Sequence, residues 1–398
     1  MSFQVSEELD QLLTNIKLFL VQEVYPKEKE VIEKGFNSAL PILEELRNMV
    51  KKKGWWAPAM PKEYGGMGLS FLEFARISEI LGTTPIGHYI FNSQAPDIGN
   101  MELMLEFGTK DQKEKYLRRL VNGEIRSCFS MVEPDRPGSN PTWIETTAQR
   151  DRDNYIINGH KWFTSSADGA TFNIVMAVTN PNGEKHKKAS MLIVDMDNPG
   201  FEFIKNIPVM GEEGEGWMSH AEVKYNDCQI PITNLLGAEG EGFALAQHRL
   251  GPGRIHHCMR WIGICERAFD LMCKRAVSRR ITPEANLASQ QTVMNWIAEC
   301  RADINAARLM VLDTANKIDT HGQYKARDDI SIIKFFVANI LLKVLDRAIQ
   351  VHGALGVTDY TPLSYWYRHE RPSRIYDGPD EVHKRAVSRR ILSKYNDN

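Results

Sequence analysis

Asn154-Tyr155-Ile156-Ile157-Asn158-Gly159-His160-Lys161-Trp162-Phe163 is the stretch whose reading decides the fold. It consists of two short runs around Asn-Gly, a strong short-range hairpin signal. Further strand candidates follow at Phe172 to Val178, Met191 to Asp195, Phe201 to Ile204 and Ala221 to Ile230, separated by Pro, Gly and Asn turns. Upstream, the period changes from helix to strand at about residue 127. A small, mostly antiparallel β-domain is the natural reading.

Both flanks carry the helical period. Leu9, Leu12, Leu13, Ile16 and Leu20 lie three or four apart, and Leu40 to Val50 repeats the pattern before the stop Lys51-Lys52-Lys53-Gly54. Met60-Pro61-Lys62-Glu63-Tyr64-Gly65-Gly66-Met67-Gly68 is a turn-rich loop, helices resume from Phe71, and Asp111 to Val121 is a short amphipathic one. Gly237-Ala238-Glu239-Gly240-Glu241-Gly242-Phe243 marks the junction from strand to helix. It is not a dinucleotide fingerprint, because the glycine spacing is reversed and its glutamates would repel a phosphate. Beyond it Ile297, Ile304, Val311 and Ile318 recur every seven residues, and Cys300, Ala307 and Thr314 follow the first three at three places. Ile333, Val337, Ile340, Leu341, Val344, Ala348 and Val351 form a second stripe. The expectation is an α+β multidomain chain: a helical N-terminal domain (1–126), a middle antiparallel β-domain (127–236) and a C-terminal four-helix-bundle domain (237–398).

Composition narrows the function. The chain has 398 residues, 42% hydrophobic and 25% charged, with a net charge of −2 and no basic tail, which disfavours nucleic acid as a partner. No run of about 18 apolar residues is present, so no membrane span is expected. The stretch Met1-Ser2-Phe3-Gln4-Val5-Ser6-Glu7-Glu8 lacks the basic and apolar regions of a signal peptide. The six cysteines fall in no close pair of metal-ligand spacing, so no metal is expected. They read as small core residues in a reducing cytoplasm.

Four stretches carry candidate chemistry. Ile375-Tyr376-Asp377-Gly378-Pro379-Asp380-Glu381-Val382-His383 packs a carboxylate, a free-turning glycine and a proline suited to the first helical position into nine residues. Locally, Asp377 is either a helix cap or a base held at the mouth of a helix. Ser127 to Asn140 is a strand entering a turn-rich loop, either a surface corner or a wall whose backbone N–H groups face a ring, with Gly138 and Ser139 allowing close approach. Trp162-Phe163-Thr164-Ser165-Ser166 is either core or a shelf for a planar ligand. His256-His257 points in two directions on a helix, a poor metal pair and more simply two satisfied histidines. Arg254, after Gly251-Pro252-Gly253, sits at an expected helical break where a charge can be aimed into a cleft.

Taken together these stretches resemble the acyl-CoA dehydrogenase family of flavoproteins over essentially the whole chain. Pro61 to Gly66 resembles the family's N-domain loop. Phe129 to Ser139 resembles its first flavin segment, usually Thr-Glu-Pro followed by Gly-Ser-Asp, and Asn158 to Ser165 its second. Met210 to Phe243 resembles the run from β-domain to bundle, and Ile349 to Gly353 and Ile375 to Glu381 the two C-terminal signatures. The last is most similar to the branch that includes human members ten and eleven, where aspartate replaces the usual glutamate. The resemblance implies one FAD per subunit, a homotetramer or homodimer, and α,β-dehydrogenation of an acyl-CoA with electrons passed to electron-transferring flavoprotein. It implies Asp377 as the α-proton base. Phe129, Met131, Val132, Gly138, Ser139, Phe163, Thr164, Ser165 and Glu381 would line FAD, and Arg279, Gln350 and Gly353 would reach a neighbouring subunit's FAD. Ser139, Arg254 and Gly378 would meet the substrate, the last through the backbone around Asp377.

The implied chemistry suits these residue types. A thioester α-proton is weakly acidic, so donors must stand where enolate charge develops. A free aspartate titrates near about 3.9 and needs exclusion of water to serve as a base at neutral pH. Three departures stand out. Val132 replaces a Thr that usually offers the flavin a hydroxyl, Asn140 replaces Asp, and Thr282-Pro283-Glu284 replaces Phe-Gly-Lys after Arg279. Two rival readings follow: a flavin oxidase of the same superfamily, such as a nitroalkane oxidase, and a non-catalytic flavin-binding partner protein.

Overall fold

The computed structural model describes residues 5–395. Residues 1–4 and 396–398, including half of the stretch read for a signal peptide and the outer ends of the two terminal domains, lie outside the described residues. The helices are α1 (Glu7–Phe19), α2 (Tyr25–Lys34), α3 (Phe36–Lys52), α4 (Phe71–Gly82), α5 (Gly87–Ile90), α6 (Asp97–Phe107), α7 (Lys110–Gln112), α8 (Arg118–Val121), α9 (Gly242–Ser278), α10 (Gln291–His321), α11 (Arg327–His352), α12 (Pro362–Glu370) and α13 (Asp380–Ser393). The strands are β1 (Ser127–Ser130), β2 (Thr147–Asp151), β3 (Asn154–Ser165), β4 (Phe172–Val178), β5 (Ala189–Asp195), β6 (Phe201–Asn206), β7 (His220–Pro231) and β8 (Leu235–Leu236). The order is therefore helical, β and helical, as the periodicity predicts.

The chain folds into two compact units. The first holds Met1–Lys29, Leu69–His88 and Arg254–Asn398, the second Glu30–Gly68 and Tyr89–Gly253. In the first unit α10 and α11 pack together. Cys300, Ile304, Ala307, Val311 and Thr314 of the heptad are buried, whereas Ile297 and Ile318 are half-buried. The α11 stripe from Ile333 to Val351 is buried at every position named above. In the second unit the strand order is β6-β7-β3-β2-β4-β5-β8, with β1 paired to β4. Only the β1–β4 and β2–β4 pairings are parallel. Tyr155, Ile157, Val175, Leu192, Val223 and Tyr225 form the centre of the sheet's core. No helix among the described residues is long and apolar enough to cross a membrane.

Two local expectations need correction. Asn158-Gly159 is not a hairpin turn: β3 runs through it unbroken. Neither residue has the positive φ that a type I′ turn requires at both central positions. The pair instead serves a bulge, because the β3–β7 register shifts between Ile157 and Gly159. Asn158 Nδ2 donates to Asp227 Oδ1 at 2.9 Å and its Oδ1 accepts from Asp227 N at 2.8 Å, holding Asp227 at φ 46. The true β2–β3 turn is Arg152-Asp153, with Arg152 at φ 53.

Likewise, α9 continues through Gly251-Pro252-Gly253 without the expected break. Pro252 forfeits one rung of the helix, but the buried side chains of Ile255, Cys258, Met259 and Ile262 keep the rest packed. The helical run from Leu40 to Val50 lies within α3, which begins earlier, at Phe36. The carboxylate of the distant Glu215 accepts from Asn37 N at 2.8 Å and so caps the first turn.

A Cβ on Gly159 would lie 2.3 Å from Thr146 Oγ1 and 2.5 Å from its Cγ2. Thr146 is buried and cannot swing aside. Gly159→Ala is expected to destabilise the sheet by about 1–3 kcal/mol through overpacking, read as a lowered Tm. An unchanged Tm would contradict the bulge packing described above.

Candidate active site

In the first unit the chemistry gathers around Asp377, in the loop between α12 and α13. The N-cap of α13 is Pro379, with no side-chain cap hydrogen bond, so the cap reading of Asp377 fails and Pro379 sits one place before the first helical turn. Asp377 is left-handed at φ 54, followed by Gly378 at φ 100. Aspartate enters this region at a cost, so something must hold it there. Its carbonyl oxygen accepts from Arg254 Nε at 3.0 Å and from His383 Nε2 at 3.1 Å. The next carbonyl, of Gly378, accepts from Lys334 Nζ at 3.2 Å, and the same ammonium donates to Ser373 O at 2.6 Å. Lys334 is fully buried in α11, and burial pushes its pKa down against the pull of Asp377. Gly378 must be glycine, because a Cβ there would meet His383 Nε2 at 2.7 Å.

With its backbone pinned, the Asp377 carboxylate is 20% exposed and lies 3.2 Å from His257 Nε2. The His257 ring runs nearly parallel to Trp261, 5.8 Å away at 19°, and packs on Tyr376 at 5.0 Å. Glu370 anchors this frame. Its buried carboxylate pairs with Arg260 (Nη2 to Oε2, 2.9 Å) and accepts from Trp261 Nε1 at 2.9 Å, while Arg260 Nη2 also reaches the Tyr376 hydroxyl at 3.2 Å. Burial raises the pKa of Glu370, but Arg260 outweighs it and holds the carboxyl below its ordinary value. Burial followed by Glu370 drives the Tyr376 phenol well above its ordinary range.

Of the predicted residues, Asp377, Gly378 and Arg254 come together here. Arg279 lies just beyond α9, Gln350 and Gly353 at the end of α11, and Glu381 in the first turn of α13, all exposed. Sequence reasoning missed His257, Arg260, Glu370, Lys334 and His383. One signal was available, since Arg254, His257 and Arg260-Trp261 recur at helical spacing on α9. His256, read with its neighbour as a satisfied histidine, packs on Phe71 and Phe74, each at 5.1 Å.

The second unit collects the other predicted residues at the ends of β1 and β3. Trp162 N donates to Val132 O at 3.1 Å, and Lys161 Nζ to Met131 O at 2.9 Å. Lys161 is fully buried and pairs with Glu133 Oε1 at 2.9 Å. Burial brings its pKa down to about 8, opposed by Glu133. Glu133 also accepts from Glu145 N at 2.7 Å, Thr146 N at 2.9 Å and Thr146 Oγ1 at 2.7 Å. Thr164 Oγ1 meets Ser130 Oγ at 2.9 Å, and Ser165 Oγ meets His220 Nδ1 at 2.7 Å. Phe129 lies under Arg249, whose guanidinium is 4.2 Å from its ring centre. Phe163, left-handed at φ 47, stays 42% exposed, and Gly138 and Ser139 are exposed on the facing loop.

Whether this set suits a flavin can be tested on its own chemistry. The Trp162 indole N–H is buried without a hydrogen-bond partner. Met131, Val132, Gly138, Pro141, Trp143 and Ile144 line a shallow, open hollow on the surface. A planar ring edged with acceptors matches an orphan donor, an exposed aromatic and the half-buried hydroxyl of Ser165, whereas the Thr164 hydroxyl is buried against Ser130. The residues fit the group.

Comparison with known proteins gives a consistent result. Family models described as acyl-CoA dehydrogenase N-terminal, middle and C-terminal domains match residues 6–124, 128–228 and 240–392. "Acyl-CoA dehydrogenase family member 11" of Gallus gallus is 42% identical over 97% of this chain and 51% of its own length. "Probable acyl-CoA dehydrogenase FadE2" of Mycobacterium tuberculosis is 42% identical over 99% of this chain and 98% of its own length. The chain thus spans about half of the animal relative and nearly all of the mycobacterial one. A solved Mycobacterium abscessus structure with a provisional acyl-CoA dehydrogenase assignment superposes with a TM-score of 0.94, at 35% identity over 99% of this chain and 100% of that one.

His383 supplies a pH test of the loop. Burial, then the charge of Arg254, lowers its pKa from 6.5 to about 4. The unfolded chain therefore takes up this proton first, and the folded state loses stability as pH falls from 6.5 towards 4. The loss amounts to about 3 kcal/mol at most. Thermal melts across this window should show a His383→Gln variant with a shallower acid decline than wild type.

Proposed function

The chain belongs to the acyl-CoA dehydrogenase family, and on that premise we propose that it converts an acyl-CoA thioester to its trans-2-enoyl-CoA with Asp377 as the base for the α-proton. The observation that carries this reading is the state of Asp377: strained, pinned by its carbonyl, and set two places before the N-cap of α13. Strain of this kind is costly and concentrates where a side chain must be aimed. FAD, when bound, supplies the hydride acceptor for the β-carbon, leaving the protein to bind, orient and deprotonate.

Each side of that division has residues to serve it. Phe163, Thr164, Ser165 and the Met131–Val132 backbone hold the flavin in this reading, with Phe129, Gly138, Ser139 and Glu381 as further contacts. Val132 brings no hydroxyl, so the burden of donation shifts to backbone N–H groups and to the orphan indole of Trp162. Arg254 fixes Asp377 from behind and contributes positive charge where the CoA thioester docks. Aspartate is one methylene shorter than glutamate, so the α-carbon must approach closer to the main chain. Exposed Arg279, Gln350 and Gly353 are assigned to a neighbouring subunit's cofactor in a homotetramer or homodimer. Electron-transferring flavoprotein is the proposed acceptor. Six free cysteines, five of them buried, suit a reducing compartment such as the cytoplasm.

The test is anaerobic bleaching of bound FAD by a panel of acyl-CoAs varying in length and branching, with nitroalkanes in parallel. Wild type is expected to bleach with at least one acyl-CoA and with no nitroalkane. Asp377→Asn should keep its yellow FAD and lose about 10²–10⁴-fold in rate. An Asn variant that bleached at the wild-type rate would remove Asp377 from the mechanism.

A further inference from the structure

One group paired with the Asp377 carboxylate belongs to neither the motif nor the loop. It is His257, 120 residues earlier in the chain on α9, and its ring has few freedoms left. Trp261 lies nearly parallel to it at 5.8 Å, one helical turn further on α9, and Tyr376 closes a second side at 5.0 Å. Both are themselves held: Trp261 Nε1 donates to Glu370 at 2.9 Å, and the Tyr376 hydroxyl accepts from Arg260 at 3.2 Å. The imidazole side chain is 18% exposed.

An ionised carboxylate only accepts hydrogen bonds, so the ring must present Nε2–H to Asp377 Oδ2, 3.2 Å away. The charged and titratable groups facing the ring are Arg260 on α9, Glu370 on α12, Tyr376 and Asp377 on the loop and His88 on α5, while Arg254 on α9, Lys334 on α11 and His383 on α13 bear on Asp377 itself. Burial pushes the imidazole towards its neutral form, with Asp377 pulling the other way. A neutral ring with its proton on Nε2 still donates to the acid. Such a donor favours the ionised carboxylate, the form that can accept a proton.

We propose that His257 is the positioning residue of Asp377, its framed Nε2–H aiming the carboxylate and keeping it ionised in the free enzyme. The proposal rests on Asp377 being the base. His257 touches no substrate in this role; it acts through the aspartate alone.

The experiment uses the FAD-loaded enzyme and whichever acyl-CoA of the panel it turns over best. His257→Phe keeps a ring in the frame and removes the donor. Its kcat should fall on the order of tenfold to a hundredfold, and the acid limb of kcat/KM should move to higher pH, since the ionised carboxylate has lost a donor. His257→Gln places an amide N–H near the old Nε2 and should return the limb towards its wild-type position. A limb unmoved in His257→Phe overturns the proposal, because a purely structural loss lowers the rate without moving the profile. The second measurement needs no substrate and no His257 variant: the ring titration of His257 followed by NMR in wild type and Asp377→Asn. The midpoint should fall in Asp377→Asn, and an unchanged midpoint overturns the pairing. Should Asp377→Asn turn over at the wild-type rate, the base assignment and the positioning role fall together. A lowered NMR midpoint in that same variant would then show that the contact is real and that only its function was misread.

Discussion

Two hydrogen bonds to one carbonyl oxygen support the arrangement around Asp377. A left-handed aspartate costs about 1–2 kcal/mol relative to an ordinary helical or extended one. The carbonyl of Asp377 accepts from Arg254 and His383, and a hydrogen bond from a charged donor is worth about 1.5–3 kcal/mol when the site is shielded. The donors outweigh the strain. The carboxylate direction then follows from the backbone, since a residue with fixed φ and a packed neighbour on one side has few rotamers left. Lys334 extends the same device by one residue, tying the carbonyls of Ser373 and Gly378 to a helix that is buried along its whole stripe.

The second unit repeats this logic with different residues. There a buried lysine, Lys161, holds the carbonyl of Met131, and its partner Glu133 gathers the amides of Glu145 and Thr146. Burying an ion pair gains little net stability by itself, but removing one member costs about 3–5 kcal/mol. Such a pair is well suited to fixing a loop that has no ladder of its own. In both units, then, the loops that carry the candidate chemistry are held from behind by buried cations bonded to main-chain oxygens. The surfaces left outward are the carboxylate in one and the exposed Phe163 in the other.

How much of this was legible in the sequence depended on range. Helix and strand periods are local, and they placed β4 at its observed limits and the α11 stripe in the core. The Asp377 loop and the two candidate flavin segments were singled out by motif wording rather than by period. Asn158-Gly159 misled because the same dipeptide that makes a tight turn also makes a bulge, and the partner that selects between them, Asp227, lies 69 residues on. Gly251-Pro252-Gly253 misled because helix-breaking residues lose to tertiary packing when the flanking faces are buried. His257, Glu370 and Lys334 carry no motif. Each gains its meaning from a residue at least 39 positions away, as Lys334 does from Ser373 and Trp261 from Glu370 109 positions on.

The spacing of residues on α9 sets where this chain can change length. Arg254, His257 and Trp261 share one helical face only because each step between them is close to a full turn. One residue inserted or deleted between positions 254 and 261 rotates everything beyond it by about 100° relative to what precedes it. The side chains before and after the change would then no longer face the same loop. The same insertion in the exposed segment between Ile281 and Leu287 turns no face that touches Asp377. Length variation among homologues with this loop should therefore be absent from one short window of the longest helix and tolerated a few turns later.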